Sequence, residues 1–298
     1  MHWDIATAGL FVGFIIGLTG MGGGALMTPM LVILFHIAPS AAISSDVVAS
    51  LALKPVGGGV HIKHRTVNWT MVRWLAIGSV PSAFLGSYVI DQVASNGLEN
   101  RVKEILGAVL LLAAVAMLAK VFVTARRGNP PTEMMDQRFV RPVPTLLIGA
   151  FGGFVVGMTS VGSGSLMIVL LMLLYPTLSS REMVGTDLVQ AIPLVAAAAL
   201  GHILFGHFQL GLTMSVIVGA VPGVYIGANV SARASDRFIR PILVAVLSIS
   251  ALKLLNATNR ELLTATVVAT FALLLSFVIT ARRKRLVLQQ EQELALAS

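Results

Sequence analysis

Eleven apolar segments follow one another along the chain, at 5–19, 24–36, 44–60, 70–90, 104–124, 145–160, 164–175, 187–204, 211–231, 238–254 and 261–280. They are too many and too long for a soluble core. A helix crosses a bilayer core with about 20 apolar residues, and several of these segments approach that length. The expectation is an all-α polytopic membrane protein. Composition agrees, since only 11% of the 298 residues are charged, against about 25% in soluble domains.

The net charge of +8 is not spread over a face. The basic residues stand in clusters between apolar runs: Lys63-His64-Arg65, Arg126-Arg127 with Arg138 and Arg141, Arg233 with Arg237 and Arg240, and Arg282-Arg283-Lys284-Arg285. That is the signature of cytoplasmic loops, and it speaks against nucleic-acid binding. Absence of cysteine excludes disulfides, thiolate chemistry and cysteine-ligated metal. The opening Met1-His2-Trp3-Asp4 lacks the positive stretch of a cleaved signal, so the first apolar run is expected to be retained, in an inner (cytoplasmic) membrane.

The chain repeats itself. Gly13-Phe14-Ile15-Ile16-Gly17-Leu18-Thr19 recurs as Gly153-Phe154-Val155-Val156-Gly157-Met158-Thr159, and Leu26-Met27 recurs as Leu166-Met167. One inserted residue later, Asp46 maps onto Asp187, His61 onto His202, Val80-Pro81 onto Val221-Pro222 and Gly86 onto Gly227. This divides the chain into a first membrane repeat (1–124), a basic cytoplasmic linker (125–143), a second repeat with an extra C-terminal helix (144–280), and a cytoplasmic tail (281–298). Within each repeat two segments are short and meet at a break: Gly20-Met21-Gly22-Gly23-Gly24 in the first, Ser160-Val161-Gly162-Ser163-Gly164 in the second. Broken or re-entrant half-helices are expected there.

Loop charge inverts between the repeats. The loop after His61 carries Lys63 and Arg65, whereas its counterpart after His202 has no Lys or Arg. The loop after Gly86 is mixed, whereas the one after Gly227 holds three arginines and one aspartate. Inverted-topology repeats follow, with the N-terminus outside and the C-terminus cytoplasmic.

Polar residues inside apolar segments are the candidates for chemistry, because a charge at a helix centre costs roughly 2.5–3.5 kcal/mol on insertion scales. Asp46, Ser50, Lys54 and His61 fall at helical spacing along one stripe, followed after the lysine by Gly57-Gly58-Gly59. Asp187, Gln190 and His202 share the matching segment, interrupted by Pro193. Lys54 either attracts an anion or pairs internally with an aspartate. Asp46 and Asp187 are expected near helix starts, capping exposed amides or taking a coupling proton. His61 and His202 are expected to close or anchor their helices near the interface. The breaks are the other candidate: Gly22, Gly23 and Gly24, with Gly162, Ser163, Gly164 and Ser165, present unsatisfied N–H groups and hydroxyls to an oxyanion, or only allow tight packing. Gly20-x-Gly22-x-x-Ala25 mimics a dinucleotide fingerprint but follows no strand, and the thirteen methionines read as packing. No cofactor and no metal site are expected.

On these residues the chain resembles the sulfite exporter TauE/SafE proteins, also called TSUP transporters. Gly13 to Leu31, with its glycine-rich break and Pro29, is similar to that family's opening motif, and Asn68-Trp69 and Gly185-Thr186-Asp187 fit its pattern. Asp46 and Lys54 depart from the small hydroxyl and apolar residues more usual there. The resemblance implies transport of sulfite, sulfonates or related organic anions, often by efflux, with partners limited to the anion and the lipid bilayer; a homo-oligomer is compatible with it. No ATP motif occurs, so an ion or substrate gradient must drive transport, and an inside-negative potential favours anion exit by roughly 2.3 kcal/mol per charge per 100 mV. The alternatives are a passive anion channel, a membrane hydrolase using Ser163 with His202, and a purely structural subunit.

Overall fold

The computed structural model describes residues 3–19, 23–127, 140–176, 178–231 and 236–256. Among them the regular elements are ten helices. The first repeat supplies α1 (Trp3–Thr19), α2 (Gly24–Ile33), α3 (Pro39–Lys63), α4 (Trp69–Ser95) and α5 (Glu99–Arg127). The second supplies α6 (Pro142–Thr159), α7 (Leu166–Leu174), α8 (Ser180–Leu204), α9 (Leu210–Ser231) and α10 (Asp236–Leu254). Residues 128–139 of the expected linker, the expected helix over 261–280 and the tail lie outside the described residues.

Four of these helices have stretches long and apolar enough to cross a membrane: Glu99–Ala119 of α5, Pro142–Thr159, Glu182–Leu204 of α8 and Leu210–Gly227 of α9. The chain is a multi-pass membrane protein by this measure. α3 and α4 are as long, at 25 and 27 residues, but less apolar, because polar side chains of both face inward: Ser44, Ser45, Asp46, Ser50, Lys54, Ser79 and Ser87 are all buried. α2 and α7, at 10 and 9 residues, rise about 1.5 Å per residue and reach only about half of a 30 Å hydrocarbon core.

The repeats interleave. α1 of the first packs along α9 of the second, and α6 of the second packs along α4 of the first. Glycines make both seams. A Cβ at Gly219, Gly223 or Gly227 would overlap the backbone of Ala6, Leu10 or Phe14, and one at Gly149, Gly153 or Gly157 would overlap Leu75, Ser79 or Ala83. Without a hydrophobic drive between helices in lipid, such close backbone approach is how dispersion holds them together. In both seams residue numbers rise together, so α1 runs parallel to α9 and α4 parallel to α6. α3 and α8 cross the centre in opposite directions: Ser44 meets His202, Gly58 meets Ile192, and Gly185 meets His61.

Two apolar clusters fill the space around this frame. One joins α1, α2, α3, α5, α9 and α10 through Met27, Leu31, Leu106, Val216 and Leu247, and the other joins α3, α4, α6, α7 and α8 through Ile43, Met71, Leu75, Met167 and Leu194.

The helix starts differ from the expectation. α3 begins at Pro39 and α8 at Ser180, so Asp46 and Asp187 sit two turns inside their helices and cap neither. Ser179 caps α8 instead, its hydroxyl accepting from the Glu182 amide at 3.2 Å. The opening turns, Pro-Ser-Ala-Ala-Ile-Ser-Ser and Ser-Arg-Glu-Met, are too polar or small to register as apolar segments.

Candidate functional site

The start of α2 meets the end of α6 between the repeats. α6 ends at Thr159, and Ser160 caps it in the left-handed region at φ 62°. Gly162 and Gly164 follow at φ 124° and 89°, conformations open to glycine and strained for other residues. They turn the chain back so that α7 begins at Leu166. A Cβ on Gly24, the first residue of α2, would overlap the Ser160 carbonyl, so the start of α2 lies directly against the end of α6. Gly23 and Gly24 are buried; Gly22 lies outside the described residues.

Lys54 reaches this junction from α3. It is 6% exposed, and its Nζ donates to Ser163 Oγ at 2.6 Å. The bond joins a first-repeat helix to the second-repeat break. Asp46 and Asp187 both lie close enough for their charge to act on the ammonium. Lys54 thus stands at a break, with the charges of Asp187 and Asp46 acting on it.

Asp46, two turns before Lys54 on the same face, accepts a hydrogen bond from Thr28 of α2 on Oδ2 at 2.6 Å. Its Oδ1 is buried with no hydrogen-bond partner among the described residues. Across the interface, Gln190 Nε2 donates to Asp187 Oδ1 at 3.2 Å, while the Ser79 hydroxyl donates to Gln190 Oε1 at 3.2 Å. The serine thereby orients the amide with its N–H toward the aspartate. Ser165, next to Ser163 and 4% exposed, has an Oγ without a partner among the described residues. Ser50 is buried on the same α3 stripe.

The two histidines part company. His202 is 1% exposed. Its Nε2 sits 2.8 Å from the Gly157 carbonyl and its Nδ1 3.0 Å from Ser44 Oγ. Only an N–H can approach a carbonyl this way, so Nε2 carries the proton and Nδ1 accepts from the serine. From the last turn of α8, His202 thus ties α3, α6 and α8 together. Both its nitrogens are occupied, and Ser163 is bonded to Lys54, so the Ser163–His202 dyad is not formed. His61 is half-buried near the end of α3, with Nδ1 2.8 Å from Thr66 Oγ1.

Thr28, Ser160, Ser79 and Ser44 belong to this constellation and were not singled out from sequence. Ser160 carried a signal: it aligns with Gly20 in the repeat, and a glycine in one copy marks a backbone freedom that the serine uses in the other. Thr28 and Ser79 are single hydroxyls in small or apolar surroundings, and Ser44 stands in a polar opening turn beside Ser45, with nothing local to mark any of them.

Comparison with known proteins shows the family. The family model for the sulfite exporter TauE/SafE matches residues 5–254, spanning both breaks and α3 and α8. The chain belongs to the TauE/SafE family. Among similar TauE/SafE-like proteins, the probable membrane transporter protein YjnA of Bacillus subtilis (strain 168) is 37% identical over 257 residues, covering 86% of this chain and 100% of the relative. The probable membrane transporter protein YdhB of the same organism is 27% identical over 218 residues, 73% of this chain and 85% of the relative. The probable membrane transporter protein MJ0441 of Methanocaldococcus jannaschii is 23% identical over 262 residues, 83% of this chain and 94% of the relative. No solved structure matches the chain significantly. This TauE/SafE protein is therefore a membrane transporter and not an enzyme, and the hydrolase alternative falls on both family and geometry.

Proposed function

We propose that the chain is a secondary carrier that exports a small sulfur-containing anion, sulfite or an organosulfonate, by alternating access of two inverted halves. The observation that carries the reading is the buried Lys54 ammonium held 2.6 Å from Ser163 at the tip of the opposite repeat's break. An anion that replaces or joins the serine there gains a charge-assisted bond to the lysine. Gly23, Gly24, Gly162 and Gly164 allow it to approach the backbone, and the start of α7 contributes the positive end of its dipole.

The inverted arrangement has its own support. α1 runs parallel to α9, α4 parallel to α6, and α3 opposite to α8. Asn68, Ser79 and Ser87 of α4 meet Glu182, Gln190 and Gly201 of α8 in the same order, so these two helices also run parallel. Taken together, α3 runs opposite to its repeat counterpart α8, and α4, parallel to α8, runs opposite to α3. With α2 and α7 each about half a membrane long, the paired short helices then enter and return on opposite sides as re-entrant hairpins, meeting near the midplane. The basic loops support an orientation with the N-terminus outside and the C-terminus in the cytoplasm, in an inner membrane.

The test is sulfite counterflow with the purified protein in liposomes, wild type beside Lys54→Ala. A hydrogen bond to a charged group contributes about 1.5–3 kcal/mol, so the variant is expected to weaken exchange at least about tenfold. Exchange that survives reduces Lys54 to an internal ion-pair partner, and wild-type protein that exchanges neither sulfite nor any sulfonate sinks the reading. A channel would give flux that does not saturate.

A further inference from the structure

The buried charges between the halves do not balance. Lys54 supplies one cation, while Asp46 and Asp187, buried on facing helices, supply two carboxyls, and both act on the lysine. With both ionised, an arriving anion meets a net negative site in surroundings where charge is poorly screened. One carboxyl must carry a proton for the anion to bind well.

Hydrogen bonding distinguishes the two. Asp187 is fixed as an acceptor: Ser79 turns the Gln190 amide so that its N–H donates to Asp187. Asp46 accepts from Thr28 on Oδ2 and has the Ser160 hydroxyl beside its carboxyl, while its buried Oδ1 makes no direct hydrogen bond among the described residues. An oxygen in that position is poorly supported as part of an ion and well placed to hold a proton. It lies beside Gly23, near the break where the anion is proposed to bind.

We propose that Asp46 takes up one proton with each anion and that Asp187 stays ionised beside Lys54, so that proton and anion cross together. The inference rests on the anion-carrier reading above and deepens it by naming the coupling ion. The proton enters Asp46 Oδ1 from the side where the anion loads and leaves to the other side as the anion is released. Among the described residues, few other titratable groups face Asp46. α2 and α6 carry none, and Tyr225 of α9 is exposed. On α4, Arg73 and Asp91 lie near opposite ends. Of the α5 charges, Glu99 lies at the helix start, where it bonds Ser40 at the start of α3. Lys54 on α3 and Asp187 and His202 on α8 remain, and His202 is occupied at both nitrogens. Ser160 and Thr28 are the neighbouring hydroxyls.

A monovalent anion accompanied by a proton moves no net charge. Membrane potential then has no hold on the carrier, and direction follows the anion and proton gradients. Export proceeds when the anion accumulates inside, and it removes acid with it.

The experiment uses the full chain in liposomes with methanesulfonate as the probe, since its single charge is fixed across the mildly acidic to mildly alkaline range. A pH dye reports the lumen, and potassium with valinomycin sets the potential. The expected result is methanesulfonate efflux with one-for-one loss of luminal protons, at a rate unchanged by imposed potential. Apparent affinity should improve by up to about tenfold per unit fall in pH, as uptake of one proton requires. Asp46→Asn should exchange methanesulfonate with an affinity that no longer follows pH. Flux that follows potential and moves no proton overturns the inference and leaves the carrier reading intact; the wild-type measurements decide this even if Asp46→Asn does not fold. A protein that carries no sulfonate overturns the inference, and one that carries no sulfite either overturns the carrier reading with it.

Discussion

Ser163 and Ser165 stand two residues apart in the same break, and the structure gives them opposite energetics. Ser163 accepts from a buried ammonium at 2.6 Å; removing it leaves Lys54 with a lost charge-assisted bond, a cost of about 1.5–3 kcal/mol. Ser165 is buried with an Oγ that has no partner among the described residues, so alanine there removes an unsatisfied group rather than a bond. Ser163→Ala is therefore expected to melt several degrees below wild type in detergent, and Ser165→Ala at or above it. If Ser165 donates to the anion, sulfite exchange by Ser165→Ala weakens although its stability does not; unchanged exchange would remove Ser165 from the site. The stripe Asp46, Ser50, Lys54 was legible in the sequence because four-residue spacing alone sets a helical face. The bond from Lys54 to Ser163 was not, because its partners stand 109 residues apart and no local pattern encodes which break a lysine will meet. The aspartates' place relative to their helix starts was misjudged for a related reason: hydropathy begins where side chains become apolar, while α3 and α8 begin several residues earlier, on turns of small and polar residues.

At the scale of elements, the α1–α9 and α4–α6 seams depend on missing side chains. Gly157 meets the backbone of Ala83, and Gly219 meets the backbone of Ala6; backbone does not yield as a flexible side chain would. Gly157→Leu and Gly219→Leu must push whole helices apart, a cost of at least about 1–3 kcal/mol. Gly59 on α3 is exposed with nothing near its would-be Cβ, and alanine there only improves helix propensity, by up to about 1 kcal/mol. The expected outcome is aggregation or an early melting transition for the two leucine variants on size-exclusion chromatography in detergent, and a wild-type profile for Gly59→Ala. Equal behaviour of all three would mean the seams are not close packed. The recurrence of Gly13 as Gly153 and of Gly86 as Gly227 was visible in the sequence as a repeat. That these glycines join one repeat to the other, rather than helices within a repeat, depends on packing between helices far apart in the chain, and period alone carries no information about it.

At the scale of the whole molecule, the inversion of the halves is the claim on which alternating access depends, and two kinds of observation bear on it independently. Loop charge separates the end of α3 and its loop, with Lys63 and Arg65, from the end of α8 and its loop, with neither lysine nor arginine. Helix direction separates them again, since Ser44 at the start of α3 bonds His202 near the end of α8, and Gly185 near the start of α8 packs against His61 near the end of α3. The chain contains no cysteine, so a single introduced thiol reports its side without any background to remove. His64 and His207 occupy these two loops and are both exposed. A membrane-impermeant maleimide is expected to label His207→Cys in intact cells and His64→Cys only after permeabilisation. Labelling of both from outside, or of neither, would place the two loops on one side. The ends of α3 and α8 would then share a membrane face, which the antiparallel pairing of Ser44 with His202 and of His61 with Gly185 does not permit, and the two-halved carrier would have to be abandoned for a different architecture.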